Sequence, residues 1–165
     1  MADPYEQKLP PLSPHLVVSD GAGAIDFYKQ AFGAIELVRH AAPDGKRIMH
    51  AALLINGATV LLADDFPEYH GGHRNSPDAL GATPVVLHLQ VDNADPIFNQ
   101  AIAAGAEVKM PLADQFWGDR YGQLQDPFGH VWSIGAAVKT LTKEQVEEGA
   151  AAAFAKADAH LQQRG

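Results

Sequence analysis

The sequence predicts an α+β fold made of two tandem βαβββ modules followed by a C-terminal helix, and three observations carry that prediction. First, His15-Leu16-Val17-Val18 is matched by His88-Leu89-Gln90-Val91 at an offset of 73 residues. Second, after a slip of one residue the match continues at 72, pairing Ala22 with Ala94, Ile25 with Ile97, Ala31 with Ala103, Gly33 with Gly105, Ala34 with Ala106 and Gly57 with Gly129. Third, short apolar strands, one capped helix and sharp turn signals follow in the same order in both copies.

The first module, residues 15–64, opens with a strand at His15 to Val18. Ser19-Asp20-Gly21 then offers a side-chain oxygen to the free amides of a helix over Ala24 to Phe32. Gly33 stops that helix, as a residue free to take positive φ does. Ile35 to His40 reads as the second strand, and Pro43-Asp44-Gly45 as a turn. Met49 to Ile55 and Thr59 to Ala63 are joined at Asn56-Gly57, the strongest short hairpin signal.

The second module, residues 85–137, repeats the order: strand Val85 to Val91, cap Asp92-Asn93, helix Asp95 to Ala104, stop at Gly105, strand Glu107 to Met110. A loop containing Phe116-Trp117-Gly118 leads to a strand near Arg120 to Gln125, the turn Asp126-Pro127-Phe128-Gly129 and a last strand His130 to Ile134. Outside the modules lie a polar, proline-rich extension (residues 1–14), a segment rich in Gly, Pro, Asn and Asp (65–84) that reads as linker or lid, and a C-terminal appendage (138–165). In the appendage Thr142 and Gln145 form a capping-box pattern ahead of an alanine-rich helix, Glu144 to Gln163, suited to a peripheral or dimer-packing role.

Composition narrows the function classes. The chain has 165 residues, 12 basic against 20 acidic side chains and a formal charge of −8. With no run of Lys or Arg, it lacks the electrostatic footprint for nucleic acid or anionic lipid. It has no cysteine, which removes disulfides, thiolate nucleophiles and Cys-based zinc sites. No stretch reaches the length needed to span a bilayer, so a soluble, cytoplasmic protein without a membrane partner is expected. There is no Gly-x-Ser-x-Gly and no P-loop, and Gly21-Ala22-Gly23 lacks the rest of a dinucleotide fingerprint.

Strand alternation separates the faces. Leu16 and Val18 share one face, and Leu87, Leu89 and Val91 share its equivalent, so the helices must cover these and leave His15 and His88 on the opposite, concave side. At the fourth strands Leu61 corresponds to Ser133, and both face the same cleft. His50 has Gly122 as its partner at offset 72, which leaves its face open; packing is its ordinary role, and it is kept as a candidate cleft residue. His70 and His73 have the spacing of metal ligands three apart but read first as solvated loop residues, and His130 as a packing or capping residue after its turn. Trp117, Arg120 and Tyr121 bring an aromatic surface, a fixed cation and a hydroxyl, a set able to hold an anionic or planar ligand.

Paired βαβββ modules with a histidine on each first strand, closed by Asp126-Pro127-Phe128-Gly129-His130-Val131-Trp132, resemble the vicinal oxygen chelate superfamily of glyoxalases, bleomycin-resistance proteins and extradiol dioxygenases. Trp117-Gly118-Asp119-Arg120-Tyr121-Gly122 resembles its PhnB-like branch, and the resemblance covers roughly residues 12 to 137. It implies that the modules form a cup-shaped mixed-sheet cleft holding a small molecule, often built across a homodimer. In metal-dependent members the ligands come from the first and fourth strands of both modules. By that resemblance His15 and His88 match ligand positions, whereas Leu61 and Ser133 stand where a carboxylate would be expected. The expectation is therefore a small-molecule binder with no cofactor, or with a weakly held divalent metal. The alternative is a metal-dependent glyoxalase-like lyase or dioxygenase using His15, His88 and a nonstandard ligand such as His50, Gln90 or a residue of a second chain.

Overall fold

The computed structural model describes residues 9–163. The first eight residues of the predicted extension and the last two of the appendage lie outside them. The element order is β1 (His15–Val18), α1 (Gly21–Phe32), β2 (Ile35–Ala41), β3 (Ile48–Ile55), β4 (Ala58–Asp64), α2 (Pro77–Leu80), β5 (Val86–Gln90), α3 (Ala94–Ala104), β6 (Glu107–Asp114), β7 (Asp119–Gln125), β8 (Val131–Ala137) and α4 (Lys143–Gln162). Two four-stranded mixed sheets result, ordered β1-β4-β3-β2 and β5-β8-β7-β6. In each, the first strand pairs parallel with the fourth and the rest pair antiparallel.

Local chemistry sets the boundaries. Asp20 caps α1 by accepting from the Gly23 amide at 2.9 Å, so the helix starts one turn earlier than expected. A second carboxylate fixes that start: buried Asp64 accepts from the Gly21 amide at 2.9 Å and from the Ile48 amide at 2.6 Å. Gly33 ends α1 with φ 65°, and Gly105 ends α3 with φ 118°. Asn56 and Gly57 both have positive φ, as a type I′ hairpin requires. Thr142 and Gln145 form both halves of the capping box of α4.

Two elements differ from expectation. β6 continues through Pro111 to Asp114, because it is an edge strand whose missing amide costs no ladder bond and whose register slips between Met110 and Ala113. The 65–84 segment, expected as linker or lid, carries structure of its own, a 3-10 turn (Pro67–Tyr69) and α2. Asp65 anchors it by accepting from the amides of Asn75 and Ser76.

One core serves both modules. α1 packs on α3, and Gln100 donates its side-chain amide to the carbonyls of Gln30 and Ala31. The Trp132 ring lies 4.7 Å from Phe32 and 5.3 Å from Tyr28, so the last strand of one module packs on the helix of the other. The sheets themselves share no backbone ladder. At their seam His130 Nε2 donates to the Val17 carbonyl and Asn56 Nδ2 to the Gln90 carbonyl, each at 2.9 Å. Among the described residues no helix is long and apolar enough to cross a membrane.

Candidate functional site

The helices cover one face of each sheet and leave the other uncovered. Leu16, Val18, Leu62 and Leu89 are buried beneath the helices, while His15 and His88 are exposed on the far side. Register fixes who joins them. His15 pairs with Leu61, which pairs with Ala52; His88 pairs with Ser133, which pairs with Gln123. Leu61 and Ser133 therefore take the positions expected of them.

That register also settles His50. Ala52 and Gln123 are equivalent and stand 71 apart, so the counterpart of His50 is Tyr121, not Gly122. Parity then puts His50 on the uncovered face, 6.3 Å from His15 ring to ring and at 87° to it. His40, cross-strand from His50, stacks on it at 6.2 Å. Burial lowers the His50 imidazole below its usual range, and the charges of His15 and His40 lower it further.

In the second module Gly135 lies between Gln90 on one neighbouring strand and Tyr121 on the other. His88 Nδ1 lies 2.8 Å from Ser133 Oγ, and His88 Nε2 lies 2.8 Å from Gln90 Oε1. With the Gln90 carbonyl turned to the ring, Nε2 carries the proton and donates, while Nδ1 accepts from the Ser133 hydroxyl. Gly135 makes room for this arrangement, since a Cβ there would sit 2.9 Å from His88 Cε1 and 3.3 Å from Gln90 Oε1. Across β8 the Tyr121 ring runs nearly parallel to His88 at 6.0 Å, and Gln123 donates to the Tyr121 hydroxyl at 3.0 Å.

Trp117 extends this surface, 5.4 Å from Tyr121 and edge-on to it. A tight turn holds it there: Gly118 takes φ 98°, its amide donates to the Gln115 carbonyl, and its own carbonyl accepts from the amides of Val138 and Lys139. A side chain at Gly118 would meet the Lys139 carbonyl at 2.6 Å. Phe116 continues the aromatic row toward α4, which crosses it at Gly149.

Arg120 is not brought to this surface. It follows Asp119 and precedes Tyr121 on β7, so it projects to the opposite side, where its Nε and Nη2 grip Asp95 at 2.7 and 2.9 Å and its Nη1 reaches Asp114 at 3.2 Å. Those hydrogen bonds raise the guanidinium and lower the Asp95 carboxyl. The expected trio of Trp117, Arg120 and Tyr121 is thus a pair with a structural arginine behind it. Alternation alone carries that signal, because neighbours in a strand cannot share a face. The same rule locates Gln90 and Gln123 beside His88 and Tyr121, and sequence reasoning passed over Gln123, Phe116 and His40.

The donor set does not fit the metal site that the resemblance implies. Leu61 has no donor atom, Ser133 spends its hydroxyl on His88, and both ring nitrogens of His88 are engaged within the protein. Among the described residues no group of three or more His, Asp or Glu is arranged to hold a metal ion.

The family model of the Glyoxalase/Bleomycin resistance protein/Dioxygenase superfamily matches residues 9–134, which spans all eight strands as far as the middle of β8. An uncharacterized protein of Mycobacterium tuberculosis is 54% identical over 138 residues, covering 84% of this chain and 81% of the relative. The crystal structure of TioX from Micromonospora sp. ML1 superposes with a TM-score of 0.59 at 28% identity over 76% of this chain and 97% of that one. The PhnB protein of Bacillus cereus shares the fold, with a TM-score of 0.59 at 18% identity over 78% of this chain and 100% of that one. Together with the duplicated βαβββ topology, these matches establish that the chain belongs to the glyoxalase/bleomycin resistance protein/dioxygenase superfamily.

Proposed function

We propose that this protein binds a small molecule on the uncovered sheet faces of its two modules, with its polar contacts concentrated on the second, and that it does so without a catalytic metal. The observation that carries the reading is the closed chain Ser133–His88–Gln90, in which the histidine at the family's ligand position hydrogen-bonds through both nitrogens. Around it stand Tyr121, Trp117 and Gln123, an arrangement of aromatic faces and neutral polar groups typical of binding sites. On the first module Leu61 and Val17 share the surface with His15, which favours contact with an apolar ligand part.

Metal analysis and fluorescence test this together. Protein purified without chelator is expected to carry no stoichiometric Zn, Ni, Fe or Mn. Near-stoichiometric metal that disappears in the His15→Ala/His88→Ala double variant would overturn the metal-free reading. Ligand binding is expected to quench a fluorescence component lost in Trp117→Phe but kept in Trp132→Phe, since Trp132 is 1% exposed in the core.

A further inference from the structure

The second module's uncovered face is rich in hydrogen-bonding groups and poor in charge. Across β5, β8 and β7 it presents His88, Gln90, Ser133, Tyr121, Gln123 and Gln125, with Asp119 as its one carboxylate. No Lys or Arg occupies a register position on these three strands of that face. At the far edge β6 adds Glu107, already held by Lys109 at 3.5 Å. Arg120, the one guanidinium on β7, is turned away and committed to Asp95 and Asp114.

The two amides nearest Gly135 are set in opposite senses. Gln90 accepts from His88 through Oε1, so it presents its NH2 group to a ligand. Gln123 donates through Nε2 to the Tyr121 hydroxyl, so it presents its carbonyl oxygen. The internal network thus orients both side chains before any ligand arrives, and one offers donors while the other offers an acceptor. Flat rings at Trp117, Tyr121 and His88 border the same area.

We infer that this face selects an uncharged planar ligand with an amide-type edge, a carbonyl oxygen beside an N–H, read by Gln90 and Gln123, and that it discriminates against anions. The inference rests on the small-molecule reading above and adds the chemical class of the ligand. An anionic group placed here would lose hydration with no cation on β5, β8 or β7 to replace it, Lys109 at the β6 edge being paired with Glu107, and with Asp119 on the same face. An amide edge offers an acceptor to the Gln90 donors and a donor to the Gln123 carbonyl, whereas a cationic amidine leaves the Gln90 donors without an acceptor.

Three molecules of nearly one shape separate these cases: benzamide, benzoate and benzamidine, titrated into the full chain and followed by NMR. Benzamide is expected to shift the side-chain amide signals of Gln90 and Gln123 and to bind at least tenfold tighter than either of the others. In Gln90→Leu the preference for benzamide over benzoate is expected to shrink, while the Trp117 signal still responds. Benzoate binding as tightly as benzamide, or benzamidine binding tightest, would overturn the selectivity while leaving the binding reading in place. If none of the three moves the Trp117 or Tyr121 signals up to its solubility limit, the amide-edge inference fails, while the small-molecule reading stands or falls on the metal and fluorescence tests above.

Discussion

The Tyr28 hydroxyl donates to Asp126 Oδ2 at 2.6 Å, and this one hydrogen bond runs from the helix of the first module to the closing turn of the second. Asp126 also accepts from Trp132 Nε1 through the same oxygen and from the amides of Phe128 and His130 through the other. The carboxylate thus shapes its own turn and clamps α1 to it. Burial first, and the Asp126 charge next, push the Tyr28 hydroxyl well above its ordinary range, so it stays a donor.

Tyr28→Phe removes that donor and keeps the ring. The loss of a hydrogen bond to a buried charge is expected to lower stability by about 1.5–3 kcal/mol. Urea denaturation checks it: the midpoint should fall with the slope unchanged. An unaltered midpoint would mean that this hydrogen bond adds nothing to the joint between the modules.

Gly122→Ala places a methyl group 2.7 Å from Phe98 Cε2 and 2.9 Å from the Leu112 Cα. Backbone cannot yield as a side-chain tip can, so the expected cost is about 1–3 kcal/mol. The contrast is Gly135→Ala, whose close neighbours are the ends of His88 and Gln90. That variant should hold its thermal midpoint closer to the parent but displace the His88 imidazole signals.

Arg120→Met tests the face assignment of β7. The guanidinium pairs with partly exposed carboxylates that water screens, so its removal is expected to leave the denaturation midpoint close to the parent's. Ligand affinity should stay within twofold of the parent. A tenfold loss with stability intact would return Arg120 to the binding surface.

Acidification should act through His50. Its folded imidazole is depressed below 6.5, so between that lower value and 6.5 the unfolded chain binds more protons than the folded one. Stability is then full above about 6.5 and falls as the pH drops through that window. Denaturation curves at stepped pH should show the fall, and His50→Asn should flatten it. An equal slope in both proteins would place the acid sensitivity elsewhere.

Much of the fold was legible before any coordinates, because its signals are local. Asp20, Asn93 and Thr142 cap helices through bonds spanning two or three residues, and Gly33 and Gly105 end them through their own φ. Site positions were less legible where the chain departs from a fixed repeat. The turn between β7 and β8, Pro127-Phe128-Gly129, holds one residue more than Asn56-Gly57 between β3 and β4, so the offset is 72 on the fourth strands but 71 on the third. A slip of one residue reverses a side chain's face, so the constant offset of 72 that located Leu61 and Ser133 mislocated the partner of His50.

By itself the sequence determined the duplication, the order of elements and the exposure of His15 and His88, since each follows from alternation, capping or turn chemistry within a short window. Only the tertiary structure decided which partners those histidines meet. Whether His88 offers a lone pair or spends both nitrogens depends on Ser133, 45 residues away, and on the room left by Gly135. Which partner Arg120 grips on its own side of the sheet depends on Asp95 in the first turn of α3. Such long-range partners are chosen by strand register and helix docking, and no local pattern encodes them.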